Sequence, residues 1–333
     1  LVENGQYLKL SEANVSQTGS YVARVGDRLY STLEGAINAV EDGGSVYVIS
    51  NITLTKTLEV NKTINILSET TASKNATNVI DGGWKNENGN TISSTYTYHP
   101  LGDYTITLAS AFADSSSNTA GIKINNGGHL ILGDENVTEA LISADNGGYL
   151  VIDGNSGYEI NGSLINVLAG GELTANYGIT LANNATVSGI NGAGVNVAGT
   201  FNLNGANIKN NVSDALGGGI YVTGTLDIED GDVYGNETTG NGAGIYIANA
   251  GSLRISDVTI SSNKANGNNS NAGGIYLANG SNTVIEEAEI ILNEAQMNGA
   301  GMYLENGAEC EISGVKIQSN KAYYGNGAGI YNT

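Results

Sequence analysis

Hydrophobic and polar residues repeat along the second half of the chain with a period of about 27 residues. Each repeat opens with a short glycine-rich string, which leads into an alternation of aliphatic residues with tyrosine, as in Ile245-Tyr246-Ile247. Period-two alternation is typical of a β-strand, and a fixed period of this length predicts stacked supersecondary units. The glycine-rich strings that open the repeats lie 25 to 30 residues apart, at 192–195, 217–220, 242–245, 272–275, 299–302 and 327–330.

A second ladder follows in each repeat, in which a glycine precedes two core positions, as in Gly251, Leu253 and Ile255. In the last full repeat Cys310 and Ile312 fill these positions, so we interpret Cys310 as a small buried hydrophobic residue rather than a reactive thiol. The glycines of this ladder are Gly128, Gly148, Gly171, Gly199, Gly224, Gly251, Gly280 and Gly307.

A third ladder ends each repeat with an asparagine that follows small or aliphatic residues, such as Val258 and Ile260. Three short strands with a turn at each corner close one coil of about 27 residues. We therefore predict an all-β fold, a right-handed parallel β-helix whose coils stack about 4.8 Å apart. Amides stacked at one corner can hydrogen-bond along the axis. The corner asparagines are Asn211, Asn236, Asn263, Asn293 and Asn320.

The N-terminal half predicts a cap for this stack. The capping-box pattern from Ser31 to Glu34 opens a short amphipathic helix that ends at Gly43-Gly44, and a hairpin around Gly26-Asp27 precedes it. We expect the helix to cover the open end of the strands. We predict a linker or the end of a preceding domain at 1–20, followed by one β-helix domain at 21–333. Within this domain we expect the hairpin and helix cap at 21–44, an excursion from the coil at 84–120, and regular coils at 190–333 that stop within a coil.

Charge and composition narrow the function. Acidic residues outnumber basic ones 33 to 13, for a net charge of −20, which disfavours binding to nucleic acids and to anionic membranes. With one cysteine no intrachain disulfide forms. No stretch reaches transmembrane length. Because the chain begins at Leu1 without Met and stops within a repeat, we expect a mature or trimmed fragment of a longer protein.

The stretch from Tyr30 to Gly44, followed by short strands, resembles the N-terminal cap of pectin-lyase-like β-helix proteins. The Gly-Ala-Gly-Ile-Tyr and Ser-Asn-Lys units resemble the repeats of surface adhesins of gut bacteria and of adhesin-like proteins of gut archaea. The resemblance covers roughly residues 20–333. It implies the fold and an extracellular, cell-surface location. It does not imply an activity, because the same fold serves lyases, hydrolases, phage spikes and adhesins.

Three groups of residues are candidate sites. Asp230, Asp257 and Glu287 occupy equivalent positions in consecutive coils, and we interpret them as a solvated acidic face, a calcium site or a pair of glycosidase carboxylates. Calcium is the one cofactor that this stack suggests. Near it, Arg254 aligns with Asp227 as an ion pair across coils.

The second group is a ladder of outward tyrosines, which would stack on sugars or bind protein, or would stabilise the rod itself. The third group surrounds the only tryptophan and would form a carbohydrate platform or a hydrophobic plug. Zinc is not expected, because His99 and His129 lack metal-ligand spacing. The two groups are Tyr221, Tyr246, Tyr276, Tyr303 and Tyr331, and Trp84, Tyr96, Tyr98 and His99.

These observations favour an extracellular adhesin-type repeat protein on the cell surface over an enzyme. Its expected partner is a glycan or a surface protein of a host or neighbouring cell, and self-assembly is an open alternative. The second hypothesis is a carbohydrate-active enzyme, a glycoside hydrolase or polysaccharide lyase, on the same fold. The motifs of polygalacturonase-like enzymes are not found in the sequence.

Overall fold

The computed structural model describes residues 21–68, 84–93, 103–112, 120–138 and 149–333. Over these residues the chain is an all-β, right-handed parallel β-helix, as the repeat predicts. Its described part holds one α-helix, Leu33–Ala39, and one turn of 3₁₀ helix, Ser110–Phe112. Each coil crosses three stacks of parallel strands, which we name sheets A, B and C, and two long strands join B and C into one sheet. From Glu159 onward each coil also crosses a short sheet D.

Sheet A contains the strands that follow the glycine-rich strings. Each strand pairs in parallel with its equivalent in the next coil, so that Tyr221, Tyr246 and Tyr276 are direct neighbours across the sheet. Its strands are Leu58–Val60, Ala120–Ile124, Ser163–Val167, Val195–Val197, Ile220–Val222, Ile245–Ile247, Ile275–Leu277, Met302–Leu304 and Ile330–Asn332.

Sheet B contains the second ladder, and sheet C contains the residues that precede the corner asparagines. Two long strands, Thr200–Lys209 and Thr225–Tyr234, run through both sheets without a break. The remaining strands of sheet B are Gly44–Val48, Thr63–Ser68, His129–Leu132, Glu172–Asn176, Ser252–Ser256, Asn282–Glu286 and Glu309–Ser313. The remaining strands of sheet C are Ile52–Leu54, Tyr104–Leu108, Leu150–Asp153, Ile179–Ala182, Thr259–Ser261, Glu289–Ile291 and Lys316–Gln318.

Sheet D follows the asparagine corner and was not predicted from the sequence. Its strands have only two residues each, which is too short for a recognisable period-two pattern. They are Glu159–Ile160, Ala185–Thr186, Val212–Ser213, Glu237–Thr238, Lys264–Ala265, Glu294–Ala295 and Lys321–Ala322.

The core is a continuous column of aliphatic side chains inside the coil. The alternation places every second residue of each strand inward, and Leu226, Ile228 and Ile255 are fully buried. Cys310 pairs with Thr283 of the preceding coil and packs against this column. Burial raises the pKa of its thiol to about 11. The thiol is therefore protonated at neutral pH. Cys310 is half-buried at the edge of the core, rather than fully buried as the sequence predicts.

The coil corners use the left-handed region of the backbone. The residue before each corner asparagine has a positive φ, for example 64° at Gly235, 55° at Ser262 and 58° at Leu292. Only glycine adopts this region without strain. The repeated bend therefore has a local conformational cost that the stacking of the coils offsets.

The N-terminal cap is formed by a hairpin and the helix. Strands Ala23–Val25 and Arg28–Tyr30 pair antiparallel, as predicted. The capping box is displaced by one residue, because Thr32 rather than Ser31 is the N-cap and its hydroxyl accepts a hydrogen bond from Gly35 N at 3.0 Å. The Ser31 hydroxyl donates to the carboxylate of Glu87 instead, at 3.2 Å.

The chain also leaves the coil within the segment 84–120. Strands Trp84–Asn86 and Thr91–Ser93 form an antiparallel hairpin, which extends the N-terminal hairpin through Arg28–Tyr30. The strand Tyr104–Leu108, within the same predicted excursion, pairs in register with coil strands on both sides.

Candidate functional site

The corner asparagines form a buried hydrogen-bonded ladder along the axis. Asn263 accepts from Asn236 N and Asn236 Nδ2, both at 3.0 Å, and its own Nδ2 donates to Asn293 Oδ1 at 3.0 Å and to Val233 O at 2.9 Å. The same pattern repeats at Asn211. The corner asparagines Asn211, Asn236, Asn263 and Asn293 are fully buried. The ladder predicted from the sequence is confirmed, and its role is cohesion between coils.

A second asparagine ladder, at the corner that precedes sheet A, was missed. Asn271 N donates to Asn241 Oδ1 at 2.7 Å, and Asn298 N donates to Asn271 Oδ1 at 2.9 Å. The sequence does contain this repeat, because each of these asparagines directly precedes the first residue of a glycine-rich string. The recurrent glycines are the stronger pattern at this corner, and the asparagine beside them was not recognised as part of the repeat.

The outward tyrosines of sheet A form one stack. Successive ring centroids lie 5.4, 4.7, 4.9 and 5.4 Å apart from Tyr221 to Tyr331, and the ring planes differ by at most 22°. The middle ring, Tyr276, is only 4% exposed. Each inner ring therefore has both faces covered by neighbouring rings and offers no open ring face to a sugar.

Burial governs the chemistry of this stack. It raises the pKa of Tyr246 to about 12, with smaller contributions from Glu305 and Tyr221. The pKa of Tyr276 is also raised, by burial first and then by its hydrogen bond to Glu305 Oε1 at 2.5 Å. These hydroxyl groups are therefore neutral over the physiological range and act as hydrogen-bonding groups.

The predicted acidic stack lies at the corner between sheets B and C. Asp230 accepts a hydrogen bond from the hydroxyl of Tyr177, whose ring lies over Gly205. Asp257 and Glu287 occupy the same corner in the next two coils and are exposed, with φ of 59° and 50°. Within the described ranges, no group of three or more His, Cys, Asp and Glu residues could hold a metal ion. Calcium binding by this stack stays a prediction.

In two other rows, charged residues on neighbouring coils have opposite signs. Arg254 forms the predicted ion pair with Asp227, at 3.3 Å. Sheet D carries a second alternation, which was not predicted from the sequence. Its successive partners in register are Glu237, Lys264, Glu294 and Lys321. These exposed pairs contribute little each, but they reduce the repulsion between stacked carboxylates.

The tryptophan group is only partly described. Trp84 is 1% exposed and packs with Leu29 and Ile49 in a separate small cluster. A ring buried to this extent presents no face to a sugar, which matches the hydrophobic-plug interpretation. Tyr96, Tyr98 and His99 lie outside the described residues. His129 Nε2 lies 2.9 Å from Thr174 Oγ1 on the outer side of sheet B.

Residues 173–333 match the family model described as a right-handed β-helix region. This segment contains the regular coils and the ladders, so the fold and the repeated corners define a repeat protein of the parallel β-helix class. No curated protein and no solved structure matches the chain. None of the described helices is long and apolar enough to cross a membrane.

Proposed function

We propose that this chain is an extracellular, surface-exposed β-helix rod of the adhesin type, which holds a ligand-binding face away from the cell. The observation that carries the proposal is the continuous axial stacking of identical side chains, Asn inside and Tyr outside, over consecutive coils. Such ladders stiffen a rod and leave its long faces regular. The surface charge of a protein with net charge −20 keeps such rods soluble and apart.

The proposed partner is a glycan or a surface protein of a host or neighbouring cell. A regular rod presents the same groups once per coil, so weak contacts to a repetitive partner add along its length. The resemblance to adhesin repeats supports the same proposal. Fold alone does not, because this architecture serves many functions.

The test is a binding screen of the 333-residue chain against glycan and protein arrays, with mass spectrometry of every glycan after incubation, in calcium and in EDTA. Binding with unchanged glycan masses supports the adhesin proposal. A new cleavage product overturns it.

The second candidate is a carbohydrate-active enzyme, and one observation favours it. Asp230 and Asp257 lie in equivalent positions of adjacent coils, because the register on both sides of them is the same. Adjacent coils are about 4.8 Å apart, close to the separation of about 5 Å between the carboxyl groups of retaining glycosidases. A product that disappears in Asp257→Asn and persists in the matched control Glu286→Gln would establish this alternative. Asn tolerates the positive φ at position 257.

A further inference from the structure

The charged residues of the regular coils avoid one side of the rod. The segments that contain a sheet A strand and its two flanking loops hold only two charged residues, Asp214 and Glu305, whereas the alternating segments of sheets B, C and D hold seventeen. We call the first set the uncharged face: 187–199, 214–224, 239–251, 266–281, 296–308 and 323–333. The second set is 200–213, 225–238, 252–265, 282–295 and 309–322.

Register makes this face continuous. Every sheet A strand from Val195–Val197 to Ile330–Asn332 pairs in parallel with the next. Its two carboxylates accept hydrogen bonds within the face. Glu305 accepts from Asn279 N at 2.8 Å as well as from Tyr276, and Asp214 accepts from the Thr239 hydroxyl at 2.9 Å. The remaining polar groups of the face are neutral.

Those neutral groups form three parallel rows. The central row is the tyrosine stack. An exposed amide row, Asn249, Asn279 and Asn306, borders it on the side of sheet B. The second asparagine ladder, Asn241, Asn271 and Asn298, borders it on the side of sheet D. In these coils each coil thus adds one phenol and two amides, at the spacing of the coils.

We propose that the uncharged face binds a neutral, hydroxyl-rich polysaccharide chain that lies along the rod. Amide and phenol groups donate and accept hydrogen bonds with sugar hydroxyl groups, and a neutral chain avoids the repulsion that a polyanion would meet from a protein of charge −20. A polymer with its own regular repeat can contact one row member per coil. This inference rests on the proposed adhesin function and names its ligand class and its surface.

A protein partner, or a second copy of the chain, fits this face less well. The core of a stable protein interface is apolar. Between residues 187 and 308, all described, the uncharged face contains none of the exposed large hydrophobic side chains, and those that it has, Tyr323, Tyr324 and Ile330, lie in its last segment. The apolar atoms of the stacked tyrosines are largely covered by one another, so the groups that these coils leave for a partner are mainly amides.

The test measures binding of the full chain to neutral glucan, mannan and chitin oligosaccharides of increasing length, with oligogalacturonate as the charged comparator. We expect at least one neutral series to bind, with affinity that rises with chain length. The affinity should not change between about 0.05 and 0.5 M NaCl, because screening acts on charged contacts. EDTA should have no effect.

The variant Asn249→Ala/Asn279→Ala/Asn306→Ala removes one amide row. If each amide contributes a factor of about 2 to 10, the triple change lowers affinity about tenfold or more. The matched control is Thr225→Ala/Ser252→Ala/Asn282→Ala, which removes an uncharged polar row of sheet B in the same register. It should stay within about twofold. If the first triple variant is unstable in thermal melts, Asn279→Ala alone is measured, with an expected loss of twofold or more.

Several outcomes overturn the inference. These are no binding by any neutral series, preference for oligogalacturonate, loss of binding in salt or EDTA, or equal effects of the two triple variants. Self-association that depends on Asn249, Asn279 and Asn306 in analytical ultracentrifugation would assign the face to a second copy instead. Calcium-dependent binding that is lost in Asp257→Asn would leave the adhesin proposal standing and remove only this inference. A cleavage product would remove the adhesin proposal itself.

Discussion

Removing a single rung of the buried asparagine ladder should destabilise the rod severely. In Asn263→Ala the side chain loses four hydrogen bonds, two accepted from Asn236 and two donated to Val233 and Asn293. The amide N–H of Asn236, a fully buried residue, loses its acceptor. Leaving a buried donor unpaired costs about 1–3 kcal/mol, and each other bond contributes about 1 kcal/mol.

The expected loss is about 4–6 kcal/mol in the free energy of unfolding, a large part of the 5–15 kcal/mol that is typical of a folded domain. The assay is urea unfolding followed by circular dichroism and by tyrosine fluorescence. A free energy is extracted only where the two transitions coincide, because repeat arrays can lose cooperativity. The matched control is Asn266→Ala, an exposed amide whose Nδ2 donates to Glu237 at 3.1 Å. It should change stability by less than about 0.5 kcal/mol.

Asn263→Asp tests the same reasoning without changing the shape of the side chain. It replaces the donor that faces Val233 and Asn293 by an acceptor, so a charged carboxylate would point at two other acceptors. The folded state therefore favours the protonated acid, and its pKa lies above that of the unfolded chain. Stability is then retained below the unfolded value and lost as pH rises. A loss below about 1 kcal/mol for Asn263→Ala, or pH-independent stability of Asn263→Asp, would refute the ladder as the main source of cohesion at this corner.

Three further predictions concern other parts of the coil. The pKa of Tyr246 is raised to about 12 by burial, so the stabilisation of the neutral phenol is present below about pH 10 and is lost as pH approaches 12. The absorbance of tyrosinate and the circular dichroism should change together in that range. The variant Tyr246→Phe should unfold at a higher pH than the unchanged protein. Leu292, 53% exposed at φ 58°, should gain about 1 kcal/mol on change to Gly, and a lower melting temperature would contradict the strain argument. Gly224→Ala places a Cβ 2.1 Å from Gly199 O, so it should lower the melting temperature strongly or prevent folding, and a near-neutral result would show that the two coils can separate locally.

The fold was predictable because the residue pattern of one coil recurs many times in the sequence. Inward residues of sheets A, B and C recur at equivalent positions, and Asn263 and its equivalents mark the corner in each repeat. Several weak local signals therefore agree, which no single coil would provide. Features that occur only once in the chain, such as the N-cap of the helix, were less predictable. Ser31 and Thr32 both suit an N-cap, and the structure has Thr32 in that position while the Ser31 hydroxyl donates to Glu87, which is distant in sequence.

The candidate sites were predictable as positions along the chain but not as surfaces. The sequence places Tyr246, Tyr276 and Tyr303 on one outward row, yet it does not reveal that their ring faces are covered by one another. Likewise, Asp230 appears as a possible ligand until Tyr177, two coils away, is seen to donate a hydrogen bond to it. Both results depend on contacts between coils that sequence spacing alone does not specify.

The repetition that identifies the fold also obscures the function. Any residue that recurs once per coil is explained by stacking, so the recurrence of Asn263 or Tyr276 supports a stiff rod but does not indicate what the rod binds. A pattern that indicates the ligand must be one that stacking does not require. The uneven distribution of charge meets this condition, because Arg254 and Asp227 show that exposed positions in these coils accept charged residues, and the alternation on sheet D shows that they do so repeatedly. Charge is nonetheless almost excluded from the uncharged face. Close packing between coils restricts the glycines of this face, such as Gly244, to residues without a side chain. It does not restrict the exposed positions, such as Asn249 and Asn279, and a neutral partner best explains their lack of charge.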